Sequence, residues 1–284
     1  MPRILIAGCG YVGKATALLF HESGWEVEGW TRSSDSAKKF SNVPFVVRAV
    51  DVTDRAQILS VAGKFDRIVH CASSKGGEAS EYRRVYLEGA RNLLDVFAGT
   101  PLLFTSSTSV YAQRDGSWVT ESDLAEPLHD SGRILRETEQ LVLGRGGVVA
   151  RLAGIYGPGR SFLLKQFLAG EAVIDPEGDR FINQIHRDDI AAALFLLEQS
   201  GAAEIYNVVD DQPILLSECY QWLATELHRP VPPKRTEAKP RKRGDSNKRV
   251  SNKKLRARGW NPKYRTFQEA MRNSILPAMN RSEF

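Results

Sequence analysis

Residues 3–21 read Arg3-Ile4-Leu5-Ile6-Ala7-Gly8-Cys9-Gly10-Tyr11-Val12-Gly13-Lys14-Ala15-Thr16-Ala17-Leu18-Leu19-Phe20-His21. The apolar run Ile4 to Ile6 predicts a short strand over residues 3–7, and residues 14–21 predict a helix. A Gly-x-Gly-x-x-Gly turn joins the two. Gly8 permits the tight turn, Gly10 lets backbone N–H groups approach a pyrophosphate, and Gly13 lets the helix pack closely on the strand. Tyr11 and Val12 ride on the same turn, and the helix N-terminus behind it favours an anion. Glycines at this spacing also occur in ordinary loops. The strand in front and the helix behind turn the spacing into a dinucleotide cradle.

Outward from this turn, strands are expected over residues 25–31, 45–50, 67–71, 102–106 and 148–152. Helical stretches lie between several of them, the longest over 78–98 and 131–143. Such alternation predicts an α/β fold, a doubly wound parallel Rossmann sheet with helices on both faces. From Gly157 the character changes: helices near 162–169, 188–199 and 216–228 surround an irregular stretch and a strand at 205–209. Ser251-Asn252 reads as the cap of a short helix ending at Gly259, and Thr266 as the cap of a last helix. The expected division is a dinucleotide-binding domain of residues 1–157 and 184–210, with a smaller C-terminal substrate region of 158–183 and 211–284.

Of 284 residues, 42% are apolar, enough for a large buried core. A strand starting at residue 3 leaves no room for a secretory leader, and the longest apolar run, residues 190–197, is too short to cross a bilayer. A soluble, cytoplasmic chain with no membrane partner is expected. Cys9, Cys71 and Cys219 have no metal spacing, so buried free thiols are expected rather than a metal site. The net charge of +5 conceals an asymmetry, because residues 229–265 hold fifteen Lys or Arg against Glu237 and Asp245. This basic segment could be a solvated loop or a grip on an anionic small molecule. A nucleic-acid contact is the weaker reading, and because no aromatic residue interleaves the segment before Trp260, a single-strand binder is disfavoured.

Strand ends carry the expected site. Thr31 closes the second strand, where NAD enzymes place a ribose-binding carboxylate, and Arg32-Ser33-Ser34 follow. A guanidinium and hydroxyls accept a 2′-phosphate, so NADP is favoured over NAD, with a plain surface cation as the other reading of Arg32. Asp51 and Val52 close the third strand, Asp51 being placed to meet the adenine amino group, with Thr53 or Asp54 capping a helix. His70-Cys71-Ala72-Ser73 close the fourth, and Cys71, Ala72 and Ser73 are expected to line the crevice.

These segments, with 104–111 (FTSSTSVY), 151–159 (RLAGIYGPG), 185–189 (IHRDD) and 206–208 (YNV), make the chain resemble the extended short-chain dehydrogenase/reductases, the NAD(P)-dependent epimerase/dehydratase family. The resemblance implies a carbonyl-polarising role for Ser107. It also implies a Tyr-x-x-x-Lys acid/base pair on the following helix, where this chain matches Ser131 and Leu135 instead. His129 is the nearest substitute of suitable pKa. Tyr156, Lys248 and Arg249 are expected at an anionic substrate such as a sugar nucleotide. Two readings stay open: an oxidoreductase or epimerase/dehydratase with an atypical active site, and a catalytically inactive NAD(P)-binding sensor. Relatives of this kind suggest a homodimer through the helices at 78–98 and 131–143.

Overall fold

The computed structural model describes all residues except Lys75, 175–178, Ser200, Ala202, 235–245 and 280–284. Much of the basic segment therefore lies outside the described residues. Chain order begins β1 (Arg3–Ala7), α1 (Tyr11–Glu22), β2 (Glu26–Thr31), α2 (Ser34–Lys38), β3 (Val46–Ala49), α3 (Arg55–Val61) and β4 (Arg67–His70). A long helical run follows: α4 (Ala79–Tyr82), a π-helical stretch Arg83–Glu88 and α5 (Gly89–Val96). The single α-helix expected there is widened at its centre, with Val85 and Leu87 buried in the wide turn and Gly89 and Ala90 buried just after it. Next come β5 (Leu102–Ser107), β6 (Trp118–Val119), α6 (Asp130–Gly144), β7 (Val148–Leu152), β8 (Gly154–Tyr156), α7 (Phe162–Leu168), β9 (Phe181–Ile182) and β10 (Gln184–His186). The remainder is α8 (Arg187–Leu197), β11 (Ile205–Val208), β12 (Ile214–Leu215), α9 (Leu216–Glu226), β13 (Arg249–Val250), α10 (Lys253–Ala257), α11 (Phe267–Ala270) and α12 (Leu276–Met279).

Seven strands form one parallel sheet in the order β11-β7-β5-β4-β1-β2-β3. The fold is thus α/β with a Rossmann-type parallel sheet, and the winding reverses between β1 and β4. Ligands of such sheets bind outside the strand carboxyl ends at this reversal, where the Gly8–Gly13 turn lies. The central strands are buried on both faces, which is why Ile4, Leu5 and Ile6 form an unbroken apolar run. The main hydrophobic cluster fills both faces of the sheet. A second one gathers Tyr156, Leu164, Phe167, Tyr220, Leu223, Phe267 and Met271 from α7, α9 and the C-terminal helices.

Three two-stranded pairings appear that the sequence pattern did not signal: β8 with β10, β9 with β12, and β6 with β13. In the last of these, Arg249-Val250 pairs in parallel with Trp118-Val119. Asn252 also departs from its expected capping role. Its carboxamide donates to Val209 O, Asp210 O and Asp211 Oδ1, while the Ser251 hydroxyl accepts the Lys253 N–H at 3.3 Å. Thr266 does cap α11, its hydroxyl accepting the Glu269 N–H at 3.2 Å.

Candidate functional site: the crevice at the strand ends

Each glycine of the turn answers to a different neighbour. Gly8 has φ +101°, and a Cβ there would lie 2.1 Å from Ala72 N. At Gly13 a Cβ would lie 2.3 Å from Gly8 O and 3.1 Å from Cys71 Sγ, so the helix rests directly on the turn. A Cβ on Gly10 would find nothing nearer than 4.0 Å, which leaves its outer side open. The first intrahelical bond is Lys14 N–H to Gly10 O at 2.8 Å, so the N–H groups of Tyr11, Val12 and Gly13 have no acceptor within the helix. An open glycine beside a helix N-terminus fits a dinucleotide pyrophosphate.

Of the remaining strand-end residues, Cys71 and Ala72 lie against this turn. The Cys71 thiol donates to Gly8 O at 3.3 Å, while Cys9 packs against Gly29, and burial pushes the Cys9 thiol up to about 12. Asp51 closes a local turn by accepting the Thr53 N–H at 2.9 Å, and Asp54 rather than Thr53 caps α3, accepting from Ala56 and Gln57. Val52 is buried, and its carbonyl accepts the Asn92 carboxamide. Ser73 is exposed at the end of the β4 loop, 3.5 Å from the Tyr86 hydroxyl. Arg32 is exposed and pairs with Glu81 at 3.3 Å. Tyr11 donates to Pro158 O at 3.0 Å, and the guanidinium groups of Arg160 and Arg187 lie over its ring at 5.4 and 5.1 Å. Burial raises its phenol pKa.

Ser107 is the last residue of β5, and its Oγ accepts the Ser109 N–H at 3.1 Å. The hydroxyl hydrogen therefore remains free to face a ligand oxygen. Helix α6 contains neither Tyr nor Lys: Ser131 is half-buried and Leu135 is packed into the main core. His129 stands exposed at the N-cap of α6, and its carbonyl accepts the N–H groups of Gly132 and Arg133.

Behind Ser107 lies a buried polar network without a local sequence signal. Arg151 grips Glu139 through Nε to Oε1 at 3.0 Å and Nη2 to Oε2 at 2.7 Å, with both side chains at most 1% exposed. Ser106 Oγ donates to the same carboxylate, Arg151 Nη1 donates to the Tyr111 hydroxyl, and that hydroxyl donates to Asn207 Oδ1. Four segments distant in the sequence are locked together here, which fixes the end of β5.

The three residues expected at the substrate are placed less openly than a surface grip requires. Tyr156 is 1% exposed inside the second cluster, and its hydroxyl has no hydrogen-bond partner among the described residues. The Lys248 ammonium is buried, donating to Tyr111 O at 3.1 Å and Ser246 Oγ at 2.8 Å, and burial lowers its pKa to about 8. Arg249 donates Nε to Gly116 O, and its guanidinium covers the Trp118 and Phe181 rings. Lys248 and Arg249 therefore belong to the seam between β6, β9 and β13 and not to a solvated loop. Among the described residues no helix is long and apolar enough to cross a membrane.

The NAD dependent epimerase/dehydratase family matches residues 4–208, and the chain belongs to that family. The protein YeeZ of Escherichia coli K12 is 29% identical over 220 residues, covering 73% of this chain and 77% of that protein. A solved chain from Methylobacillus flagellatus assigned to the NAD-dependent epimerases/dehydratases is 30% identical, with a TM-score of 0.80 over 98% of this chain and 99% of that one. The fold alone is shared with dTDP-glucose 4,6-dehydratase of Bacillus anthracis in complex with NAD, at 16% identity, a TM-score of 0.84, and coverage of 100% of this chain and 98% of that one.

Proposed function

We propose that this member of the NAD-dependent epimerase/dehydratase family binds NADP(H) at the Gly8–Gly13 turn. There it performs oxidoreductase or epimerase/dehydratase-type chemistry on an anionic small molecule such as a sugar nucleotide. The observation that carries this is the turn itself, with an open Gly10 beside free helix N–H groups at the reversal of the sheet. Arg32 takes the 2′-phosphate, and Asp51, Val52, Cys71, Ala72 and Ser73 flank the adenosine. A bound nicotinamide supplies hydride-transfer capacity. Ser107 donates its hydroxyl hydrogen to the substrate oxygen that changes bond order, while its Oγ is steadied by Ser109 N–H. Ser131 titrates too high to act as the usual tyrosine does, and Leu135 offers no charge, so His129 is assigned the proton. Lys248 and Arg249, in the C-terminal region of 158–183 and 211–284, and Tyr156, at the end of β8 just before it, are assigned to the substrate side, and the long helices to a homodimer contact.

Calorimetric titration with NADPH and NADH tests the cofactor assignment. A preference for NADPH of tenfold or more, about 1.4 kcal/mol, is expected. Absence of binding by either nucleotide overturns the reading. For the proton, His129→Gln is expected to abolish turnover and leave cofactor affinity intact, and retained turnover removes His129 from the site. The burial of Leu135 where a ribose-binding lysine would stand favours a second reading, a dinucleotide-binding sensor without catalysis. Binding without turnover across a panel of sugar nucleotides would select it.

A further inference from the structure

The adenosine side of the crevice already holds an anion, and it is the chain's own. Glu81 in α4 places its carboxylate between two guanidinium groups. Arg84 grips it through Nη2 at 2.8 and 3.0 Å and Nε at 3.0 Å, and Arg32 reaches Oε1 at 3.3 Å from just beyond β2. Arg84 Nη1 also lies 3.4 Å from Thr53 Oγ1, which ties the cluster to the end of β3. A Cβ on Gly77 would lie 2.9 Å from Cβ and Cγ of Glu81, so the Glu81 stem rests against that glycine. Because β2 and β4 flank β1, the Arg32–Glu81 pair joins the segments that follow the two strands on either side of it.

We propose that Glu81 is a built-in competitor for the 2′-phosphate of NADP(H), and that Arg32 and Arg84 together form the phosphate seat. This rests on the reading of the crevice as a dinucleotide site. Two guanidinium groups converging on one carboxylate have the charge and fork geometry that a terminal phosphate needs. The Glu81 carboxylate offsets one of the two guanidinium charges, and Arg84 also feels Asp51 and Glu88, so release of Glu81 raises the positive charge open to a phosphate by one. Arg32 is the partner that changes hands, being 64% exposed and joined to Glu81 by one contact, whereas Arg84 sits three residues from Glu81 on the same helical run. NADH has no group to exchange for the carboxylate and leaves the pair as it is.

The test is calorimetric titration of the wild-type chain, Glu81→Gln and Arg84→Gln with NADPH, NADH and 2′,5′-ADP. Removing the competing charge is expected to tighten NADPH and 2′,5′-ADP up to about fivefold, the range of an exposed ion pair, with NADH unchanged. Arg84→Gln is expected to weaken the two phosphorylated ligands and spare NADH. If the wild type binds and Glu81→Gln shows no gain selective for the 2′-phosphate, or moves NADH equally, the competitor is overturned alone. Failure of every ligand with the wild-type chain overturns the dinucleotide reading and this proposal with it.

Discussion

Gly10 and Gly13 are one residue type in one turn, yet their neighbours assign them different work. A methyl group on Gly10 meets no protein atom closer than 4.0 Å, so it would be felt only by a ligand such as the proposed pyrophosphate. Gly10→Ala is therefore expected to keep the melting temperature of the wild type and lose at least about tenfold in NADPH affinity, about 1.4 kcal/mol, by calorimetry. At Gly13 the same methyl group would lie 2.3 Å from the Gly8 carbonyl, a backbone atom that cannot step aside. Gly13→Ala is expected to destabilise the fold by about 1–3 kcal/mol in denaturant titration, because helix α1 must lift from the turn. A Gly10→Ala chain that unfolds early, or a Gly13→Ala chain as stable as the wild type, would show that these two roles have been exchanged.

Elements are held to one another by buried charges, and two of these make measurable demands. Glu139 of α6 accepts from Ser106 of β5 and Arg151 of β7 while wholly buried, and Arg136 reaches the same carboxylate. Glu139→Gln strips the anion from two guanidinium groups, one of them 1% exposed, and is expected to cost about 3–5 kcal/mol in equilibrium unfolding. Glu198, at the end of α8, is the opposite case: its carboxyl is buried, 3.7 Å from Arg67, and burial pushes its pKa up to about 8. The folded state then keeps a proton that the unfolded chain releases above its ordinary value of 4.5, so stability falls as pH rises from 4.5 to 8. Glu198→Gln lacks that loss. Its melting temperature relative to the wild type is expected to climb across this window and level off above it, by an amount equivalent to about 2–4 kcal/mol. A constant difference across the window would place the Glu198 titration elsewhere. Two kinds of element were legible in the sequence: strands of four to six residues with short apolar runs that alternate with helices, and helices with a buried face. Pairings of two residues, such as Arg249-Val250 on Trp118-Val119, carry no period to read. The reach of Arg32 to the Glu81–Arg84 pair and the Glu139–Arg151–Tyr111 cluster were equally hidden, because their members come from segments that only the assembled sheet brings together. For the crevice, the glycine turn was legible because its neighbours are local, whereas the burial of Tyr156 and Lys248 depends on the C-terminal stretch folding back.

At the scale of the whole molecule, that fold-back decides whether two hydrophobic clusters behave as one body. Val250, Leu255 and Trp260 insert into the main cluster, while Tyr264, Phe267, Met271 and Ile275, only a few residues on, build the second. Asp189, in the first turn of α8, fastens the junction: its carboxylate accepts the N–H groups of Lys263 and Tyr264, and its carbonyl accepts Trp260 Nε1 at 3.2 Å. A chain segment that supplies both clusters cannot leave one without disturbing the other. Thermal unfolding is therefore expected as a single transition, with calorimetric and van't Hoff enthalpies equal. NADPH at about a hundred times its Kd is expected to stabilise the chain by about 2.7 kcal/mol and to move that one transition upward by several degrees as a unit. Two transitions, of which only one responds to the nucleotide, would mean that the junction at Asp189 opens before either core melts.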